Sequence, residues 1–262
     1  MRGNEVFELV TERGWRRGYG NMLRSGLAGW FKTRTWWVNS LIWGAVVTGM
    51  LGRFAFSRPG VISLGSIMRT FSETAGLIPA VGVIIALQDA LVSEKRRGTA
   101  AWVLSKPLTR EGFLVSKVVS NSLGVLVSMV AVPMILGYIL MSIIQRSLLN
   151  PIGFLGCVFL FFVIDFFFLS FTLMLGALFS SRAPVIGIPL AVFFLYLYMI
   201  GQLPALRFIL PMSLIYTPDN LANALLMHTS IQQEQLLILG IILLECVFFL
   251  SVALWRFNRQ EF

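Results

Sequence analysis

Three carboxylates stand where carboxylates are expensive. Asp89 falls at the end of one apolar run, Asp165 near the middle of the phenylalanine-rich run 152–179, and Glu245 near the centre of the run 236–255. An ionised carboxylate at bilayer depth costs about 2.5–3.5 kcal/mol on insertion scales, so Asp165 and Glu245 must face the bundle interior, a partner subunit or water. Two chemistries suit them. One is a proton or cation path, or a site for a polar substrate group. The other is an interhelical hydrogen bond to Ser, Thr, Asn or Gln. A secondary transporter clusters more such groups, so the structural role is expected of each. Asp89 lies near the interface and is expected to face a cytoplasmic vestibule or to pair with nearby cations.

Other chemistry is thin. His228 is the single histidine, which excludes a bis-histidine haem and a histidine zinc cluster within the chain. Cys157 and Cys246 both sit in apolar runs without paired spacing, so neither a disulfide frame nor a metal site is indicated. There is no G-x-x-x-x-G-K-[ST] loop and no recognisable nucleophile motif. No catalytic, cofactor-binding or metal-ligating residue is expected, and the chain does not read as an enzyme.

The elements that hold these residues are membrane helices. Of 262 residues 57% are hydrophobic and 13% charged, and mean hydropathy is +0.81. Soluble domains carry about 25% charged residues. The chain reads as an all-α polytopic membrane protein with six spans, at about 36–51, 75–92, 110–141, 152–179, 184–200 and 236–255. Residues 1–35 form a cytoplasmic N-terminal segment, 36–256 the six-span domain and 257–262 a cytoplasmic tail. The net charge of +9 does not point to nucleic acid, because its distribution explains it. Basic residues gather before the first run, between the second and third, at Arg182, and at Arg256 and Arg259. With six spans these all fall inside, as the positive-inside rule requires, and both termini are cytoplasmic. A long basic segment before the first run is also the wrong layout for a secretory signal peptide.

Ahead of the first span, Met22/Leu23, Gly26/Leu27 and Trp30/Phe31 recur at a spacing of four, with Arg24, Ser25, Ala28 and Lys32 opposite. This pattern predicts an amphipathic helix in the headgroup plane, with Met22, Leu23, Leu27, Trp30 and Phe31 against membrane lipid. Trp36, Trp37 and Trp43 mark the cytoplasmic end of the first span. A short surface helix is expected at 61–71. Ala75, Gly76, Ala80, Gly82 and Ala86 give the second span a surface for close helix approach, and Pro133 is expected to kink the third. Between spans five and six, residues 201–235 are apolar but broken by Pro204, Pro211 and Pro218. Short external helices near 205–210 and 219–227 are expected there, or a re-entrant hairpin covered by protein.

The remaining stretch, 93–117, is a charged island holding a five-residue apolar patch, Ala100-Ala101-Trp102-Val103-Leu104. The patch is too short to cross a bilayer and too apolar to be left in water. Gly98 suits a helix C-cap and Thr99 an N-cap for a short helix over the patch. Lys106-Pro107 ends that helix. Thr109 then caps the next, with Glu111 in its first turn, where the dipole favours an anion. That next helix continues to about Met141, close to 50 Å at about 1.5 Å per residue, so it must project into the cytoplasm.

Glu94-Lys95, Arg97-Gly98-Thr99, the apolar patch, Ser105 to Arg110 and then Lys117 resemble the first cytoplasmic loop of ABC-2 type permeases, the membrane subunits of a class of ATP-binding-cassette exporters. The six spans, the basic interfacial helix and the external helices are similar as well. The resemblance implies a coupling helix that docks on a separate cytosolic ATPase subunit, with ATP and Mg on that partner and no cofactor on this chain. It also implies pairing with a second permease subunit, identical or homologous. Carried over, Glu94, Gly98 and Thr99 shape the loop, Ala100, Ala101, Trp102, Val103 and Leu104 form the docking helix, and Pro107 and Arg110 set the start of the third span. Arg97 counts among the docking residues. Trp102 is bulkier than the pattern expects and implies a tailored partner surface. The implied function is export of a lipid-like, amphipathic or peptide-like substrate across a prokaryotic cell membrane. Two alternatives are a membrane-anchored assembly subunit binding a cytosolic protein that is not an ATPase, and an ion-coupled secondary transporter using Asp165 and Glu245.

Overall fold

The computed structural model describes residues 18–57, 64–96, 109–199, 208–216, 221–227 and 229–259. Among them the fold is all-helical, with no strand. The elements are α1 (Tyr19–Phe31), α2 (Thr35–Ser57), α3 (Leu64–Leu87), α4 (Val92–Arg96), α5 (Arg110–Val125), a π-helical turn (Leu126–Ala131), α6 (Val132–Gln145), α7 (Pro151–Leu178), α8 (Arg182–Met199), α9 (Ser213–Tyr216), α10 (Leu221–Met227) and α11 (Gln233–Asn258).

Five helical stretches are long and apolar enough to cross a membrane, by length and composition: Gly65–Arg96, Arg110–Gln145, Pro151–Leu178, Arg182–Met199 and Gln233–Asn258. The 23-residue α2 is long enough as well, but Asn39, Ser40, Thr48 and Arg53 make it more polar.

The phenylalanine-rich α7 is the centre of the bundle. Asn150 caps its first turn, accepting from the Ile152 amide at 3.1 Å, and Pro151 occupies the first helical position, where no N–H is needed. A helix apolar all round is either buried in protein or set in lipid. Here α3, α5, α8, α10 and α11 pack on it, while Ile152, Leu155 and Phe159 stay exposed. Phe161, Phe167 and Phe168 are buried, and Phe249 of α11 meets Phe167 and Phe171 at centroid distances of 5.4 and 4.9 Å.

Lipid tails are as apolar as these side chains, so helices associate through close packing. Small residues supply it. A Cβ on Gly82 of α3 would lie 2.1 Å from the ring of Trp43, and one on Gly124 of α5 would lie 2.2 Å from that of Trp30. Trp43 is therefore turned into the bundle, while Trp36 and Trp37 remain exposed at the helix end.

One expectation needs correction. The helix expected at 61–71 is not a separate surface element: α3 begins at Leu64 and runs on unbroken, because Ile67, Met68 and Phe71 are buried. Of the helix expected at 205–210, residues 205–207 lie outside the described residues, Phe208 is in a 3-10 turn and Ile209 and Leu210 are not helical; a short helix, α9, follows Pro211. The helix near 219–227 is present as α10. Both short helices are buried against α3, α7 and α11, at the end of the bundle away from the 97–108 segment. At Pro133, where a kink is expected, a π turn lies just before the proline. The Val132 amide reaches back five residues to Val127, so the widened turn absorbs both the missing donor and the ring.

Candidate functional site

Segment 97–108 lies outside the described residues, and with it Arg97, Gly98, Thr99, Ala100, Ala101, Trp102, Val103, Leu104 and Pro107. Its two roots, α4 and the first turns of α5, are described. The α5 root starts as its sequence dictates. The Thr109 hydroxyl accepts from the Gly112 amide at 3.0 Å, and Glu111 lies in the first turn.

The roots are tied to each other and to two helix ends. Glu94 forms an ion pair with Lys117, whose ammonium also lies 5.7 Å from the Phe113 ring centroid. Lys95 donates to the carbonyls of Ala177 at 3.1 Å and Phe179 at 2.9 Å. Arg110 donates to the carbonyl of Asn258 at 2.6 Å. The last carbonyls of a helix have no intrahelical donor and carry the negative end of its dipole, so cations suit them. Phe113 stacks on Phe257 of α11, 5.3 Å between centroids and 3° between planes. The C-terminal ends of α7 and α11 therefore both lie beside the roots of segment 97–108, which makes these two helices parallel.

A turn at 88–91 separates α3 from α4. Within it Asp89 pairs with Arg182, the first residue of α8. Ser93 donates to the Asp89 carbonyl at 2.6 Å.

The apolar face expected of α1 is divided. Met22, Gly26 and Trp30 face α5: a Cβ on Gly26 would lie 2.5 Å from Ser120 Oγ, and the Trp30 indole donates to Asn121 Oδ1 at 2.9 Å. Leu23, Leu27 and Phe31 form a separate outer groove with Arg24 and Lys32. Half of the face is thus a helix–helix contact, and only the outer row is free for lipid. Beside α1 lies a cavity of about 940 Å³ bordered by α1, α2, α3, α4 and α5.

The intramembrane acids are not brought together. Asp165 is 1% exposed, and neither carboxylate oxygen has a hydrogen-bond partner among the described residues. The interhelical bond expected for it is not found among the described residues. Glu245 is half-buried, with Oε2 enclosed and likewise without a partner there. His228 lies outside the described residues.

Sequence reasoning had the motif residues but missed their acceptors. Lys95 and Arg110 were legible as cations near an apolar patch; that they end on carbonyls about 80 and 150 residues further along the chain was not. The pairing of Asp89 with Arg182 had a weak signal, opposite charges at the same ends of neighbouring spans.

A helical bundle with five membrane-length helices is the fold of a multi-pass membrane protein. The chain belongs to the ABC-2 family: a family model described as ABC-2 family transporter protein matches residues 47–262. The match runs from within α2 to the C-terminus and leaves α1 outside. Comparison with curated proteins returns no match. Members of the family are transmembrane components rather than catalysts.

Proposed function

We propose that this chain is the permease subunit of an ATP-driven exporter, powered by a separate cytosolic ATPase that docks on the loop 93–117. The observation that carries the reading is the bracing of that loop: Lys95 holds the end of α7 and Arg110 the end of α11. ATP and Mg belong to the partner. When two such ATPases close, displacement of the patch Ala100 to Leu104 passes through α4 and α5 into α7 and α11 together. The 36-residue stretch Arg110–Gln145 is about 54 Å long, enough to reach from a cytosolic partner through the bilayer.

The topology belongs to the same reading: α2 is the first of six spans, and both termini are cytoplasmic. Asn39, Ser40 and Thr48 each donate to the carbonyl four residues earlier, at 2.7–2.8 Å, which lowers the cost of setting polar side chains in lipid. A second permease subunit, identical or homologous, completes the transport path in a prokaryotic cell membrane. The cargo is lipid-like, amphipathic or peptide-like.

The test is co-purification with an ATPase encoded beside this gene. The double change Trp102→Asp and Leu104→Asp is expected to abolish the complex and the ATP dependence of transport in vesicles. A retained complex, or transport driven by an ion gradient alone, overturns the reading.

A further inference from the structure

We propose that the outer groove of α1 binds the head of an anionic glycerophospholipid from the surrounding membrane. Two rows of side chains build the groove. Leu23, Leu27 and Phe31 form an apolar row at a spacing of four, and Arg24 and Lys32 stand in a second row that Gly20 and Ala28 share. Residues three and four apart are neighbours on a helix, so the cationic row runs alongside the apolar one. Gly20 and Ala28 are short and leave space beside the two cations. The groove encloses about 430 Å³, within the range of ligand pockets and enough for a head and the first chain segments. It shares no residue with the larger cavity on the opposite flank of α1, which Met22, Ser25, Gly26 and Gly29 border.

Charge selects the occupant. Arg24 and Lys32 are exposed, and neither side chain has a partner among the described residues. No Asp or Glu occurs in the sequence from Arg13 to Ser72. The carboxylates on the opposite flank, Glu94 and Asp89, are held by Lys117 and Arg182. An anionic head therefore meets two uncommitted cations, where an ammonium head meets only repulsion. A guanidinium takes a phosphate through two parallel hydrogen bonds, and a lysine adds a point charge. The two cations stand about 12 Å apart along the helix axis, with only the Ala28 methyl between them in their row.

The apolar row and its place in the chain identify a lipid as the source of that phosphate. Only Lys32 to Arg34 separate α1 from α2, and Trp36 and Trp37 at the start of α2 are 37% and 41% exposed. Exposed tryptophans at the end of a span mark the headgroup level. A soluble anion satisfies the cations and leaves Leu23, Leu27 and Phe31 in water; a phospholipid covers both rows. The headgroup depth rests on α2 being a span, as proposed above. The groove needs neither the ATPase nor a particular side of the membrane, so loss of docking in the Trp102 and Leu104 variant leaves it untouched.

The experiment is native mass spectrometry of the full chain in detergent, titrated with phosphatidylglycerol and phosphatidylethanolamine. Phosphatidylglycerol is expected to bind about fivefold or more tightly. Arg24→Gln together with Lys32→Gln should weaken it about twentyfold, about fivefold for each cation, and remove the preference. Both side chains are exposed, so thermal stability should not change. Arg24→Lys with Lys32→Arg keeps both charges and should keep the preference, as should Arg96→Gln, which removes an exposed cation outside the groove. Phe31→Ser should weaken both lipids alike, by removing a chain contact. Equal binding of the two lipids by the parent overturns the proposal. So does a preference that survives in the folded double variant, an equal loss in Arg96→Gln, or unchanged binding in Phe31→Ser. Displacement of phosphatidylglycerol by equimolar glycerophosphoglycerol or oligoglutamate would make the occupant a soluble anion or an acidic protein, and overturns it as well. Cysteine labelling of Lys32→Cys reads the placement of α2 separately, so a groove without preference and an α2 that does not cross are told apart.

Discussion

Lys95 shows how one side chain can connect a loop to a distant helix. A lysine at a helix end is ordinarily a solvated charge, yet this one ends on the carbonyls of Ala177 and Phe179, in the last turn of α7 and just past it. The last carbonyls of a helix lack an intrahelical amide donor, so removing the ammonium takes a charged donor from this helix end. Lys95→Met is expected to lower stability by about 1.5 kcal/mol or more, the scale of hydrogen bonds to a charged group. Thermal unfolding in detergent measures it, and Lys95→Arg, which keeps a donor, should recover most of the loss. If Lys95→Met unfolds as the parent does, the bond contributes nothing and the proposed transmission into α7 loses its support.

Elements are decided by what covers them. The π turn at Leu126–Ala131 is the clearest case. Pro133 cannot donate to Met129 and its ring would strike that carbonyl in a regular helix. A π turn takes up one extra residue, so both neighbouring helices keep their buried faces, with Met129 and Met134 fully enclosed. Deleting Val127 together with Pro133→Ala is therefore expected to give a folded protein with a continuous helix. Deleting Val118 instead rotates everything after it by about 100° and should abolish folding. Yield of monodisperse protein and resistance to limited proteolysis separate the two. Equal behaviour of both deletions would show that the register of this helix is not set at the π turn. The same logic explains α1: its glycines weaken it as an isolated helix, but Gly26 is also what lets it approach Ser120 closely.

For the whole molecule the geometric question is whether α2 crosses, because it sets the side on which α1 lies. Single cysteines on a background lacking Cys157 and Cys246 answer it. Leu148→Cys, in the turn between α6 and α7, is expected to react with an impermeant maleimide in intact cells. Ser181→Cys, between α7 and α8, should react only after permeabilisation. Lys32→Cys should behave as Ser181→Cys does if α2 is a span. Labelling of Lys32→Cys from outside would place α1 on the far side and leave five crossings.

Much of this protein was determined by the sequence alone. Long apolar runs forbid water on their surface and unpaired backbone in lipid, so a helical bundle follows from composition and length. Thr109 announces its helix start because capping is local chemistry. The island 93–117 was legible as an apolar patch between cations. Tertiary structure decided the rest. Periodicity could not tell that Phe161, Phe167 and Phe168 of α7 face other helices rather than lipid, since both surroundings are equally apolar. Nor could it divide the face of α1 into an inner row on α5 and an outer row, because that depends on glycines and an asparagine about 95 residues away. Above all, the acceptors of Lys95 and Arg110 are backbone carbonyls, which every residue carries and no motif distinguishes. Only the folding of α7 and α11 back to the roots of the loop selects those two helix ends.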